Sequence, residues 1–328
     1  MRLMIYEPAY RRVADRLAPY AGQLELLLVD AEGKITCNGE SLDTDTAQPE
    51  AGWMGADGGA GAGGRALAVS LLKSPRLSWV HTGAAGVDHP VWGQLVAKGA
   101  KLSTGHGQAI SIAEYVLAEV LGRFQRLGER RAEQAAHRWT RLPFREVAGT
   151  RWLIVGFGAI GQGVAERARA FGAHITAVRR SLAPHPLADA MGALEDVHGL
   201  LPAADVVVLA TPLNDATRGM AGAAFFAAMK PGSVLVNIGR GDLVDEAALL
   251  AALDAGVPDF AILDVFHAEP LPLDSPFWEH PRVAMTPHAS AFGSGQGARN
   301  DALFLENLRR RLAGEPLLYE ADPRDLGR

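Results

Sequence analysis

The sequence predicts an α/β protein with two doubly wound parallel-sheet domains, and three observations lead to this fold class. Short apolar runs recur along the chain with intervals between them that can hold a helix, which is the pattern of βαβ units. In the C-terminal half these runs are apolar throughout, as expected of parallel strands buried on both faces. A length of 328 residues is enough for two domains with separate hydrophobic cores.

Composition excludes several classes of protein. A hydrophobic content of 48% indicates a globular protein, and a net charge of −5 gives no general basis for nucleic-acid binding. Cys37 is the only cysteine, so an internal disulfide is impossible and nothing argues for secretion. We find no apolar run of about 18 residues, as a membrane span would need, and the N-terminus becomes polar too soon for a signal peptide. We therefore expect a soluble, cytoplasmic protein.

The N-terminal region begins as alternating strands and helices. Apolar runs predict strands at residues 3–6, 24–29, 52–55 and 77–80, with a basic amphipathic helix over 10–18. The glycine-rich segment 57–64 lacks the lysine of a phosphate-binding P-loop and follows no convincing strand, so we interpret it as a flexible surface loop. Behind the last strand, the two glycines and two alanines of residues 83–86 leave backbone amides uncovered where open α/β sheets bind ligands. An ordinary tight turn explains them equally well.

The C-terminal region has the stricter βαβ pattern. Helical spacing of apolar residues starts at 111 and continues in polar form to 138, and we expect this long helix to cross between the two domains. Its apolar and arginine-rich stretches suggest a homodimer face. Strands are then predicted at 152–155, 174–178, 206–210, 233–238, 260–265 and 282–286, before a final helix over 290–313.

A glycine motif follows the first strand of this region. Gly156, Gly158 and Gly161 have the spacing G-x-G-x-x-G, and Ala159 and Ile160 open the helix behind them. The glycines permit a tight turn, close approach of the backbone to a pyrophosphate, and close packing of helix on strand. The helix N-terminus adds unpaired N–H groups that suit a phosphate. Because the motif lies between a strand and a helix, it predicts a dinucleotide site rather than a merely tight turn.

The end of the next strand indicates which dinucleotide binds. An NAD-binding fold uses an acidic residue there to bond the ribose 2′-OH. Here the strand ends in Arg179, Arg180 and Ser181, whose guanidinium and hydroxyl groups match a 2′-phosphate. We therefore expect NADP(H) in preference to NAD(H). The alternative, a solvated strand end, still lacks the acid that NAD would need.

Four further motifs lie in order behind the glycine motif. They are Thr-Pro-Leu-Asn-Asp-Ala-Thr at 211–217, Met-Lys-Pro-Gly at 229–232, Val-Asn-Ile-Gly-Arg-Gly-Asp-Leu-Val-Asp-Glu at 236–246 and Thr-Pro-His at 286–288. With the glycine motif they resemble the D-isomer-specific 2-hydroxyacid dehydrogenase family, most strongly over residues 149–288. The Arg-Arg-Ser strand end, residues 277–283 and residues 322–324 are similar to its glyoxylate/hydroxypyruvate reductase branch.

The resemblance implies three catalytic residues. Arg240 would hold the carboxylate and carbonyl oxygen of a 2-oxo acid and polarise the C=O bond. His288 would act as general acid in reduction and general base in oxidation. Glu269 would pair with His288 and fix its tautomer. Metal ions have no part in this chemistry, so we expect none.

The resemblance also implies several contacts. Ala85 and Gly86 would hold the substrate carboxylate beside Arg240 and His288, and Asp264 would face the nicotinamide carboxamide. Thr211, Pro212 and Ile238 would line the cofactor at strand ends. Trp139 and Trp278 are either apolar substrate walls or plain core or dimer contacts, and His81 and His106 have no assigned role. The loop at 105–109 departs from the family pattern and puts the identity of the substrate in doubt.

Together these features predict a Rossmann cofactor domain inserted in a flavodoxin-like substrate domain. The substrate-binding domain would comprise residues 1–103 and 290–328, and the dinucleotide-binding domain residues 104–289. The expected function is reduction of a small 2-oxo acid, glyoxylate or hydroxypyruvate, by NADPH. The alternatives are an NAD-linked dehydrogenase of a bulkier D-2-hydroxy acid and a non-catalytic, dinucleotide-sensing corepressor-like protein.

Overall fold

The chain folds into two compact units, one inserted within the other. The computed structural model describes residues 1–55, 61–84 and 86–326. The first unit comprises Met1–Gln108 and Ser294–Arg328, and the second is Ala109–Gly293. Within the described residues, each unit contains a seven-stranded, mainly parallel sheet with helices. The predicted α/β fold class is confirmed.

The strands and helices alternate over most of the chain. In chain order they are β1 Arg2–Tyr6, α1 Glu7–Leu17, β2 Glu25–Val29, β3 Ile35–Cys37, β4 Glu40–Leu42, β5 Ala51–Met54, α2 Gly61–Lys73, β6 Trp79–Thr82, α3 Pro90–Ala97, β7 Lys101–Thr104, α4 Ala109–Phe124, α5 Leu127–Ala135, β8 Arg151–Val155, α6 Ala159–Ala170, β9 His174–Val178, β10 Ala190–Gly192, α7 Val197–Leu200, β11 Val206–Leu209, α8 Ala223–Ala228, β12 Val234–Asn237, α9 Glu246–Ala255, β13 Phe260–Leu263, β14 Val283–Met285 and α10 Gln296–Leu312.

The sheet of the first unit has the order β4-β3-β2-β1-β5-β6-β7. The five neighbouring strands β2, β1, β5, β6 and β7 pair in parallel. Their order is flavodoxin-like, because the second of these strands in the chain lies at the edge beside the first, and the other three follow in chain order on the opposite side. The edge strands β3 and β4 pair antiparallel and were not predicted from the sequence. Their short segments lack the continuous apolar run that marked the central strands.

The sheet of the second unit has the order β10-β9-β8-β11-β12-β13-β14, with every pair parallel. This is the Rossmann order with one strand added at the far edge. After β8 the chain forms β9 on one side of β8, and it later forms β11 on the other side. The strand order therefore reverses between β8 and β11, and open α/β sheets bind ligands at the carboxyl ends of the strands at such a switch point. The glycine motif follows β8 and therefore lies at this switch point.

Alternate residues of each central strand are buried on opposite faces of the sheet, which explains why these strands are apolar throughout. In β8, Trp152 and Ile154 pack with residues of α4 and α6. Leu153 and Val155 pack with residues of α8 and α9 on the other face. In the first unit, the Trp53 ring of β5 stacks on Phe304 of α10, with ring centroids 3.9 Å apart. This contact fixes the returning C-terminal helix on the first sheet.

The prediction of a surface loop over 57–64 is wrong for its second half. Residues 57–60 lie outside the described residues, but Gly61–Lys73 is helix α2. Gly63 explains the glycine content, because a Cβ there would lie 2.3 Å from the carbonyl oxygen of Asp30. The small residues allow the helix to approach the end of β2 closely.

The single long helix predicted over 111–138 is also wrong. The structure has two helices, α4 and α5, and both belong to the second unit. Arg126 between them has a left-handed backbone with φ of +54°, and its guanidinium bonds Glu129 in the first turn of α5. This residue ends one helix and starts the next.

The last helix begins later than the predicted residue 290. It starts at Gln296, because the backbone N–H and hydroxyl of Ser290 bond to Asp264 instead of entering a helix. Across the described residues, we find no helix with the length and apolar character that a membrane crossing requires.

Candidate active site

The glycine turn joins β8 to α6. Gly156 has φ of +98°, and a Cβ there would lie 2.4 Å from backbone atoms of Ala210 and Thr211, so the position requires glycine. A Cβ at Gly161 would lie 2.1 Å from the carbonyl oxygen of Gly156, which shows how closely the helix approaches the strand. A Cβ at Gly158 would meet nothing within 4 Å. The residues therefore fit a pyrophosphate, because the space beside Gly158 is kept open in front of the helix N-terminus.

Ala159 and Ile160 are the first two residues of α6, so their N–H groups belong to the helix end that lacks internal partners. Gly158 is the residue that caps this end, and no side chain fills the capping position. The unpaired amides give the turn the polarity that an anion needs.

The end of β9 lies beside the glycine turn, because β8 and β9 are paired in register up to Val155 and Val178. Arg179 is half-buried, and its Nε and Nη2 donate to the carbonyl oxygens of Ser181 and Ala183, each at 2.9 Å. Arg180 and Ser181 are exposed. Residues 179–181 thus directly follow a strand whose end pairs beside the glycine turn, and this is the strand end where a Rossmann fold meets the adenosine ribose.

Arg240 follows β12 in a tight turn held by a buried side chain. The amide of Asn237 donates to the Arg240 carbonyl at 2.9 Å, and its oxygen accepts from the Gly239 N–H at 3.1 Å. Arg240 itself is half-buried and donates to the Gly239 carbonyl at 2.7 Å. A Cβ on Gly241 would lie 1.9 Å from the backbone of Phe266. The Arg240 turn therefore presses directly against the loop behind β13.

That loop carries Glu269, which contacts His288. Oε2 of Glu269 lies 2.8 Å from Nδ1 of His288, and Oε1 accepts the Phe266 N–H at 3.0 Å. Because an ionised carboxylate only accepts, Nδ1 carries the proton, and within the described part of the chain no residue hydrogen-bonds Nε2. The two side chains are 47% and 37% exposed, so a small ligand can reach them. This arrangement can move a proton through Nε2.

Asp264 holds the turn in which His288 sits. His288 has a left-handed backbone with φ of +52°, which is costly for a residue other than glycine unless its surroundings enforce it. Oδ1 of Asp264 accepts from Thr286 Oγ1 at 2.6 Å, Ala289 N at 2.8 Å and Ser290 N at 3.0 Å, and Oδ2 accepts from the Ser290 hydroxyl. The Asp264 carbonyl also accepts the His288 N–H at 2.8 Å. These bonds fix the turn from both sides.

The remaining predicted cofactor residues lie at neighbouring strand ends. Thr211 is half-buried and Pro212 exposed just beyond β11, whereas Ile238 is buried directly behind β12. All three are at the carboxyl edge of the second sheet, together with the glycine turn. In the first unit, Gly86 is half-buried behind β6, and Ala85 lies outside the described residues.

The residues without an assigned role are two histidines of the first unit and two tryptophans of the second. His81 is fully buried in the first unit, and burial together with the nearby His106 lowers its pKa to about 3. His106 packs on Tyr319 with ring centroids 4.0 Å apart, and burial lowers its pKa to about 4. Trp278 is half-exposed and donates to the Pro272 carbonyl at 2.8 Å, and Trp139 is 97% exposed.

Asn237 and Ser290 are site residues that sequence reasoning missed. Asn237 ends a buried strand directly before the Gly-Arg-Gly turn, and a polar residue in that position is a usable signal. Ser290 gave no such signal, because its partner Asp264 is 26 residues away.

The order of the second sheet and the glycine turn at its switch point place this chain in the dinucleotide-binding α/β class. Its residues 117–290 match the family model described as D-isomer specific 2-hydroxyacid dehydrogenase, NAD binding domain. That match covers half of the sequence, and the chain belongs to the D-isomer specific 2-hydroxyacid dehydrogenase family.

Individual relatives fall on more than one branch of this family. Glyoxylate/hydroxypyruvate reductase A of Salmonella paratyphi B is 34% identical over 231 residues, which cover 68% of this chain and 74% of that one. D-3-phosphoglycerate dehydrogenase of Mycobacterium leprae is 36% identical over 248 residues, or 75% of this chain. The match covers 47% of the phosphoglycerate dehydrogenase, so it spans about half of that relative's length.

A solved structure matches over nearly the whole length. The D-isomer specific 2-hydroxyacid dehydrogenase from Xanthobacter autotrophicus Py2, in complex with NADPH and MES, is 27% identical with a TM-score of 0.79. The match covers 98% of each chain. The similarity thus includes both units.

Proposed function

We propose that this chain is an NADPH-dependent oxidoreductase that reduces a small 2-oxo acid, glyoxylate or hydroxypyruvate, to the D-2-hydroxy acid. The observation that carries the proposal is the Glu269–His288 pair at 2.8 Å, on the same sheet edge as the glycine turn. A carboxylate-bound imidazole beside a dinucleotide site can deliver the proton that carbonyl reduction requires. The similarity to glyoxylate/hydroxypyruvate reductase A supports the choice of substrate.

In this proposal His288 is the proton donor. When protonated, its imidazolium is held by Glu269 through Nδ1–H and presents Nε2–H to the carbonyl oxygen. After the proton leaves, Nε2 becomes an acceptor and the ring keeps its orientation, because the Nδ1–H bond is unchanged. The same pair can therefore remove a hydroxyl proton in the reverse reaction.

Arg240 would bind the substrate and stabilise charge on the carbonyl oxygen. Its guanidinium offers a planar set of donors that fits a carboxylate and an adjacent oxygen. The Asn237 bonds and the close contact of Gly241 with Phe266 hold its turn, so little reorganisation accompanies the reaction. We assign substrate binding also to Ala85 and Gly86, and the substrate-binding role to the first unit.

The second unit would hold the cofactor. Bound NADPH supplies the hydride for the substrate's C2. Gly156, Gly158, Ala159, Ile160 and Gly161 would bind its pyrophosphate, and Arg179, Arg180 and Ser181 its 2′-phosphate. Thr211, Pro212 and Ile238 would line the dinucleotide. Asp264 would support the nicotinamide end, where its carboxylate already accepts bonds from Thr286, Ala289 and Ser290.

Two features support NADPH over NADH. Residues 179–181 contain no carboxylate to accept a bond from a ribose 2′-OH, and they bring two positive charges instead. The similar Xanthobacter autotrophicus structure contains NADPH.

The test is NADPH oxidation by the purified protein with glyoxylate, hydroxypyruvate, pyruvate, phenylpyruvate and a branched 2-oxo acid. We expect the highest kcat/KM with glyoxylate or hydroxypyruvate. Highest turnover with phenylpyruvate or the branched acid would indicate a dehydrogenase of bulkier acids. Tight NADPH binding without turnover of any acid would indicate a dinucleotide-sensing protein.

We further propose that the second unit forms a homodimer through α5 and the segment 136–150. Trp139 and Phe144 of this segment are 97% and 48% exposed, which is unusual for such large apolar side chains. Phe144 also lines an open groove of about 600 Å³, together with Phe124 and Pro143 and with Arg123, Arg126 and Arg145. Light scattering should give the mass of two chains, and Trp139→Ala should shift the protein toward monomer. A monomeric mass for the unaltered protein would contradict the proposal.

A cytoplasmic location remains a prediction from the sequence.

A further inference from the structure

The segment behind β9 folds back toward the glycine turn. Arg179 donates to the carbonyl oxygens of Ser181 and Ala183, so much of its guanidinium is used to hold this bend. The Ser181 hydroxyl accepts the Ala183 N–H at 3.4 Å and still has its own proton to donate. The bend therefore presents Ser181 in an ordered position and brings the following residues back over the sheet.

His185 is the residue that returns to the glycine turn. The rings of His185 and Phe157 form a T-shaped contact, with ring centroids 5.1 Å apart and ring planes at 86°. Phe157 is buried between Gly156 and Gly158, the two glycines nearest the pyrophosphate position. The imidazole thus lies one aromatic ring away from the glycine turn, on the segment that also carries Arg179, Arg180 and Ser181.

The structure also fixes the tautomer of His185. The Leu187 N–H donates to Nδ1 at 3.2 Å, so Nδ1 is the acceptor and the proton of the neutral ring is on Nε2. Among the residues that the structure describes, none accepts a hydrogen bond from Nε2. Leu187 packs against the same apolar cluster that contains Phe157, so both residues that contact the ring belong to one packed region.

We propose that Nε2–H of His185 donates to the 2′-phosphate of NADP(H) and that His185 is a residue that selects this cofactor. The inference rests on the proposed function, since it adds a third kind of donor to Arg180 and Ser181. A neutral N–H donor suits this position, because a proton on Nδ1 would oppose the Leu187 N–H. NAD(H) has a hydroxyl in place of the 2′-phosphate and offers no phosphate oxygen to Nε2–H. The hydrogen bond therefore forms only with NADP(H) and favours that cofactor.

Three variants separate the proton donor from the structural roles of the ring. His185→Asn keeps an oxygen that can accept the Leu187 N–H, but its amide N–H is too short to reach the position of Nε2–H. His185→Phe keeps an aromatic ring against Phe157 but also removes the donor. His185→Gln places an amide N–H at about the reach of Nε2. His198→Asn is the matched control, because His198 forms a similar T-shaped contact with Phe225, with centroids 6.1 Å apart, in the same unit.

The measurement is the dissociation constant of the full-length protein for adenosine 2′,5′-bisphosphate and for AMP by calorimetry, without substrate or turnover. We expect the unaltered protein and His198→Asn to prefer the bisphosphate strongly. His185→Asn and His185→Phe should bind it about tenfold more weakly, as for one hydrogen bond to a charged group, with AMP binding unchanged. His185→Gln should recover part of the loss.

Three results overturn the inference, and they are distinguishable. If the unaltered protein binds both ligands equally, the proposed NADPH preference fails and the role of His185 fails with it. If the unaltered protein prefers the bisphosphate but the Asn and Phe variants keep the same preference, only the role of His185 is contradicted. Equal weakening for both ligands would show that the ring merely supports the glycine turn.

Discussion

Nδ1 of His288 lies 2.8 Å from Oε2 of Glu269, while Oε1 of the same carboxylate accepts the Phe266 N–H at 3.0 Å. Each oxygen of Glu269 therefore accepts one hydrogen bond, and this fixes the imidazole in the tautomer with the proton on Nδ1. Because the carboxylate is tied to the loop behind β13, the orientation of His288 depends on that loop as well as on its own turn.

Glu269→Gln tests this relationship. A glutamine has only one side-chain oxygen, which can replace either Oε1 beside the Phe266 N–H or Oε2 beside His288 but not both, and its NH2 group faces the other donor. Either the loop loses the hydrogen bond from the Phe266 N–H, or the amide NH2 donates to Nδ1 of His288 and moves the imidazole proton to Nε2. We expect kcat to fall by about 10²- to 10³-fold, approaching the loss in His288→Gln, with NADPH affinity nearly unchanged. Steady-state kinetics and cofactor binding check this, and near-normal turnover of both variants would remove the pair from the mechanism.

Arg240→Lys tests the role of the guanidinium. Lysine keeps the positive charge but loses the planar set of donors that can hold a carboxylate and a carbonyl oxygen together. We expect kcat/KM for the oxo acid to fall by about 10- to 100-fold, through both KM and kcat, because the carbonyl contact strengthens in the transition state. The KM for NADPH should stay unchanged. Equal kinetics of Lys and Arg would contradict this role.

Two alanine substitutions in the glycine turn should have different effects, one on cofactor affinity and the other on stability. A Cβ at Gly158 meets nothing within 4 Å, and its φ of −78° suits any residue, so Gly158→Ala should fold normally. It should nevertheless weaken NADPH binding, because the methyl group occupies space beside the pyrophosphate position. Gly156→Ala should lower the Tm, since its Cβ would lie 2.4 Å from backbone atoms at φ of +98°. Normal NADPH affinity in Gly158→Ala would contradict the assignment of this turn.

The buried histidines of the first unit predict how stability depends on pH. Burial lowers the pKa of His81 to about 3, with a contribution from His106, whose own pKa burial lowers to about 4. In the unfolded chain both have pKa values of about 6.5. Below pH 6.5 the unfolded chain therefore binds more protons than the folded one, and stability falls as the pH falls toward 4.

Urea unfolding at a series of pH values measures this effect. Each histidine can contribute a slope of up to about 1.4 kcal/mol per pH unit over the window between its two pKa values. His106→Gln should therefore show a shallower loss of stability between pH 6 and about 4 than the unaltered protein. An identical slope in the variant would mean that His106 is not buried in its neutral form.

Sequence patterns predicted most of the fold because parallel strands with two buried faces leave a clear signal. β8, β11 and β12 are continuous apolar runs, and the glycine motif marked the turn behind the first of them. The short antiparallel strands β3 and β4 lacked such a run. The break between α4 and α5 was missed because it depends on the left-handed backbone of Arg126, a residue with ordinary helix propensity.

For the candidate site, the sequence predicted Arg240, Glu269 and His288 only through their motifs. Their proximity depends on neighbouring strand ends and on the contact between Gly241 and Phe266, which spacing along the chain cannot show. Ser290 and His185 were missed for the same reason, because Asp264 and Phe157, the residues they contact, are distant along the chain. Asn237 has local partners in Gly239 and Arg240, so its polar position at the strand end could have been used.

The most direct test of the account is the ratio of kcat/KM for NADPH to that for NADH, measured with hydroxypyruvate as the oxo acid. Arg180 and Ser181 at the end of β9, with no carboxylate beside them, predict a ratio well above ten. Arg180→Gln should lower that ratio while leaving kcat/KM for NADH nearly unchanged. A ratio at or below one in the unaltered protein would contradict the account.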